Sequence, residues 1–75
     1  MRKLSEIAAE IRKTWPKPYF GAVPYLDAMR SLSSINDNYY EDSARSVVSY
    51  FLANAATWRG EDAKRIKKEL NQMIK

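Results

Sequence analysis

The chain has 75 residues, 45% of them hydrophobic and 29% charged, with no cysteine, no histidine, and thirteen Lys/Arg against nine Asp/Glu for a net charge of +4. One domain with a small core is all that this length supports, since domains near this size bury only about 60% of the surface their unfolded chains expose. Without Cys and His there is no disulfide, no thiolate nucleophile and no Cys- or His-based metal site, and the commonest general base is missing.

The first helix is expected over residues 3–15, where Leu4, Ile7, Ala8, Ile11 and Trp15 follow the three-and-four spacing of one helix face. Arg2, Glu6, Glu10 and Lys13 share spacings that permit opposite-sign pairs on the other face. Glu6 and Glu10 also interrupt any apolar run near the N-terminus, so no secretory signal is read there and a soluble, cytoplasmic chain is expected. Pro16 and Pro18 end the helix. The segment from Trp15 to Tyr25, WPKPYFGAVPY, is a stiff connector holding all three prolines and four of the nine aromatics.

A second helix is expected over 24–33, with Pro24 in its first turn and Leu26, Met29 and Leu32 on its apolar side. Residues 33–38 read as a turn. Asn38 followed by Glu41 resembles a capping box, which places the third helix over 39–56. Its apolar arc comprises Val47, Val48, Phe51, Leu52 and Ala55, opposite Asp42, Ser46, Ser49 and Ala53. The break at 54–60 has two readings: Thr57 caps a helix starting at Trp58, or Gly60 closes the third helix and the last one starts just after it. That last helix is expected over 61–74, with Ala63, Ile66, Leu70, Met73 and Ile74 on its apolar side. The fold class is all-α: a compact single-domain bundle of four short helices, with helix three at the centre.

Catalysis finds little support. Ser31, Ser33 and Ser34 have no histidine to activate them, and no Ser–Lys motif is present. Asp37, Glu41 and Asp42 lack the spacing of a calcium loop and read as helix-capping carboxylates. No enzyme activity, cofactor, metal or membrane partner is expected.

Two features point to binding. Tyr19, Phe20 and Tyr25, held by prolines, are candidate contacts for a protein partner or a second copy, because rigid aromatics offer large contact area at low entropic cost. The competing expectation, favoured for so small a core, is that they fold down as a lid, with Trp15 and Trp58 in the core. The charge is uneven: +3 over residues 1–18, −2 over 19–57 and +3 over 58–75. Lys64, Lys67, Lys68 and Lys75 align on one side of the last helix, read first as a solvated face and alternatively as a nucleic-acid contact. A helix-turn-helix made by the last two helices is only loosely matched by their connection.

The stretches WPKPYFGAVPYLDAMRSL and YFLANAATWRGEDAKRIKKEL resemble small single-domain proteins of bacteriophages and bacterial mobile elements. That resemblance implies a bacterial cytoplasmic setting and a role in binding host or phage components, and it assigns no residues. The function expected is a non-enzymatic interaction module; the alternative is a nucleic-acid-binding protein.

Overall fold

Helix α1 (Leu4–Thr14) buries Leu4, Ile7, Ala8 and Ile11, the face set by the apolar spacing. The computed structural model describes residues 2–39 and 42–75. At the start of α1, Glu6 Oε1 accepts from the Lys3 backbone N–H at 3.3 Å. Two further N-terminal donors, the amides of Leu4 and Ser5, find the carbonyls of Ser33 and Leu32 at 3.2 and 2.9 Å. The turn around Leu32 and Ser33 therefore supplies acceptors that the helix cannot provide for itself. Trp15 closes α1, and its side chain turns into the core.

The connector is more structured than its prolines suggest. A 3-10 turn (Phe20–Ala22) leads directly into α2 (Val23–Arg30), with Pro24 in the first turn of the helix, where its missing N–H costs nothing. Helix α2 stops at Arg30, earlier than 33, but Leu32 and Ile35 still reach the core from the following turn. Asp37 organises that turn: its carboxylate accepts from the backbone N–H groups of Ser33 and Ser34, both at 3.0 Å.

The expected start of the third helix near Tyr39 is corrected. Strands β1 (Asn38–Tyr39) and β2 (Asp42–Ser43) pair antiparallel, and α3 (Ala44–Ala53) begins only after them. Asn38 lies in β1 and caps nothing; Glu41, its expected capping partner, is outside the described residues. The cap is Ser43, whose Oγ accepts from the Ser46 N–H at 3.1 Å. Asp37 and Asp42 likewise do not cap the helix, since Asp37 serves its own turn and Asp42 sits in β2. Helix α3 ends at Ala53 instead of 56, and Ala55 and Trp58 are buried just past it.

The last helix starts just after Gly60, as one of the two readings has it, but Gly60 does not close the third helix, which ends at Ala53. Gly60 immediately precedes α4 (Glu61–Met73) at φ 113°, ψ 178°, a conformation essentially reserved for glycine. A Cβ there would meet nothing within 4 Å, so the requirement is conformational and not steric. Gly60→Ala is expected to cost about 1–3 kcal/mol in chemical denaturation; a loss under about 0.5 kcal/mol, the range of ordinary surface changes, would show that the loop relaxes freely.

The four helices form a ring: α2 packs on α1 and α3, and α4 packs on α1 and α3. This differs from three helices gathered around α3. The middle of the ring is filled by Leu4, Ile7, Leu26, Met29, Phe51, Ile66 and Leu70, all fully buried. Among the described residues no polar or charged side chain is buried, and no helix is long and apolar enough to cross a membrane.

Candidate interaction surface

The two tryptophans meet at one end of the ring. Their indoles stack at 5.4 Å with an interplanar angle of 8°, and both sit edge-on to Phe51 at 6.3 Å. They are core residues, as their positions at helix ends suggest.

The connector aromatics behave differently, and the expectation of a lid is corrected. Phe20 is 79% exposed and Tyr19 is 45% exposed; only Tyr25 is half-buried, packed against the core. The physical reason is the 3-10 turn: it directs Ala22 inward, and Phe20 at its start is left on the outer side. The Tyr19 ring lies 5.1 Å from that of Phe20 and folds back over Gly21. A Cβ on Gly21 would fall 2.6 Å from Tyr19 Cε2 and 2.9 Å from Asn54 Oδ1, so glycine lets the connector approach the end of α3 this closely.

Tyr50 completes the surface, and the sequence reading missed it. It is 53% exposed, and its ring lies 5.4 Å from that of Tyr25. One turn further on, Asn54 Nδ2 donates to the Tyr50 carbonyl at 2.9 Å, and Asn54 lines a cavity together with Tyr19. Two aromatic pairs, Tyr25–Tyr50 and Tyr19–Phe20, are thereby joined through Asn54 into one band across α2, α3 and the connector. A signal for Tyr50 did exist, because a large aromatic lies outside the apolar arc of its own helix.

Two open cavities lie along this band. One, of about 300 Å³, is lined by Arg45, Ser46, Ser49, Tyr50 and Ile74. The other, of about 310 Å³, is lined by Tyr19, Ala53, Asn54, Ala56 and Thr57.

The lysine stripe is less uniform than helix geometry implies. Lys67 is half-buried: its Nζ donates to the Trp58 carbonyl at 2.6 Å and lies 5.8 Å from the centre of the indole. Burial, and secondarily the charge of Arg59, pushes its pKa down. Lys64 and Lys68 are exposed on α4, whereas Lys75 lies beyond the end of the helix, its backbone oxygen accepting from Arg45 Nη1 at 3.3 Å.

Much of the charge at the two chain ends is used internally. Arg2 grips Glu69 through Nε at 3.0 Å and Nη2 at 2.6 Å, and its Nη1 donates to Glu10 Oε1 at 2.6 Å. Arg65 Nη2 donates to Glu10 Oε2 at 2.6 Å and to Asp62 Oδ1 at 3.3 Å. Of the four residues anticipated to pair along α1, Arg2 and Glu10 do so, Arg2 from a position before the helix and not at a spacing of three or four, and Glu10 also bonds Arg65 of α4. Held first by Arg65 and then by Arg2, the Glu10 carboxyl is pulled down from 4.5 to about 2, and Arg2 lowers Glu69 in the same direction.

Glu10 titrates lower folded than unfolded, so its contribution is present above about pH 4.5 and is lost as pH falls toward about 2. Thermal melts are expected to lose stability across that window, and Glu10→Gln is expected to flatten the loss. Added salt should reduce the contribution, because these side chains border solvent. An unaltered acid slope in Glu10→Gln would remove this network as its cause.

Fold and surface together define a small all-α bundle that carries an aromatic band on one side. Comparison with known proteins finds no matching family model, no matching curated protein and no matching solved structure. Among the described residues no three acidic side chains gather into a site able to hold a metal ion.

Proposed function

We propose that this chain is a non-enzymatic interaction module whose aromatic band binds a protein partner or a second copy. The cytoplasmic phage or mobile-element setting implied by the sequence resemblance belongs to the same proposal. The observation that carries the reading is the exposure of Phe20, Tyr19 and Tyr50 while, among the described residues, the other large apolar side chains are buried or half-buried. Scattered apolar residues on a surface are ordinary. Here, however, they lie in two ring pairs beside two cavities, and aromatic anchors of this kind dominate binding energy. Burying a phenylalanine against a partner contributes about 1.5–3 kcal/mol. The lysine stripe supports the nucleic-acid alternative less well, since Lys67 is engaged with Trp58 and only Lys64 and Lys68 are left side by side on α4.

Phe20→Ala separates the roles. Unfolding free energy is expected to change by no more than about 0.5 kcal/mol, the range of surface substitutions. Complexes with the partner, or self-association measured by sedimentation, are expected to disappear. A stability loss of about 3–5 kcal/mol would make Phe20 a core residue, and intact complexes would move binding off the band.

A further inference from the structure

Resting on the proposed binding role of the band, we infer that its occupant is an amphipathic helical segment of another protein, acidic at one end and carrying a large apolar side chain about two turns away. The surface of α3 sets this pattern. Arg45, Ser49 and Ala53 recur every four residues, so they lie along one face of the helix. Arg45 and Ala53, one from each cavity, are about 12 Å apart at 1.5 Å per residue. Between them Ser46 and Ser49 are small enough for a second helix to approach at the usual interaxial distance of about 8–10 Å.

The ends of this strip differ chemically. The first cavity presents the Arg45 guanidinium beside two serines and the Tyr50 ring. The second presents Ala53, Ala56 and Tyr19, next to the exposed Phe20, and no charged side chain is among its described lining residues. No acidic residue lines either cavity among the described residues; the exposed charges nearest in sequence are basic at the second cavity, Lys17 before Tyr19 and Arg59 after Thr57, and mixed at the first, where Asp42 precedes Arg45 and Lys75 follows Ile74. With Arg45 the one charge among the described lining residues of the two cavities, the strip complements an acidic partner and opposes a second copy, which would bring the same arginine. Nucleic acid fits less well, because a backbone-tracking groove needs a row of cations and only Arg45 lines a cavity.

The test is selection of displayed helical peptides, randomised on one face, against the full chain. Enriched clones are expected to pair an Asp or Glu with a Leu, Phe, Tyr or Trp seven or eight residues away. They are expected to lose binding about tenfold or more on Arg45→Glu, with salt weakening what remains. Arg45 is exposed, so its reversal should leave the melting curve unchanged; Ser49→Trp, which fills the first cavity, is the second blocking variant. Clones sensitive to Phe20→Ala but indifferent to both blocking variants would overturn this inference and leave the band as a binding surface. No enriched clone, together with no self-association, would overturn both. A dimer broken by Phe20→Ala, or a short single-stranded oligonucleotide bound more tightly than any peptide, would overturn it in favour of those partners.

Discussion

Phe51→Ala is expected to remove about 3–5 kcal/mol of stability, the cost of truncating a fully buried aromatic whose cavity cannot close. The side chain sits on α3 facing the ring of helices, with Trp15 and Trp58 edge-on to it, so neighbours on two sides are rigid and planar. At the usual 0.05–0.15 kcal/mol per residue, 75 residues hold roughly 4–11 kcal/mol in total. The substitution therefore consumes a large share of what there is, and the melting temperature should fall by roughly 12–40 °C at 4–8 °C per kcal/mol. A fall of only a few degrees would mean that the indoles collapse into the space, and that this corner of the core is softer than its stacking implies.

The second large effect concerns the tryptophan pair. Trp58→Ala and Trp15→Ala are each expected to cost about 3–5 kcal/mol, because each indole is nearly buried and spans the gap between the end of α1 and the α3–α4 connection. Stacked at 5.4 Å and almost parallel, the two rings should interact beyond the area they bury. The double variant should therefore cost less than the sum of the single ones by about 0.5–1.5 kcal/mol. Additivity within about 0.3–0.5 kcal/mol would show that each ring is held by the core independently. The Lys67 hydrogen bond does not confound the comparison, since its acceptor is the Trp58 backbone carbonyl and survives the substitution.

Local chemistry made α1 and α4 legible in the sequence. Apolar spacing followed by Pro16 marks α1 to within a residue at each end, and Gly60 with the acidic pair Glu61 and Asp62 marks the start of α4. The start of α3 is misread because Asn38 and Glu41 imitate a cap, while the working cap, Ser43, looks like any serine in a polar turn. Within the helix, Val47, Val48 and Phe51 are buried as their arc requires. The candidate surface is only half legible. Phe20 and Tyr19 stand out by composition, yet whether they cover the core depends on a three-residue turn that periodicity does not register. On a helical wheel Lys67 borders the apolar side of α4 while Lys68 lies opposite it, but the wheel supplies no partner; the folding of the connection beneath α4 brings the Trp58 carbonyl to Lys67.

The clasp of Arg2 on Glu69 also bears on the order in which the chain assembles. It joins residues 67 apart, whereas the Arg12–Asp27 pair between α1 and α2 joins residues 15 apart. Closure entropy rises by about 0.6 kcal/mol for each doubling of loop length, so the longer loop costs roughly 1.3 kcal/mol more to close. Helices α1, α2 and α3 are neighbours in sequence as well as in space, and they can consolidate before α4 returns to complete the ring. Helix α4 is then the last unit to arrive and the first able to detach, and slow native-state amide exchange would find it opening as a piece, carrying Ile66 and Leu70 out of the core with it.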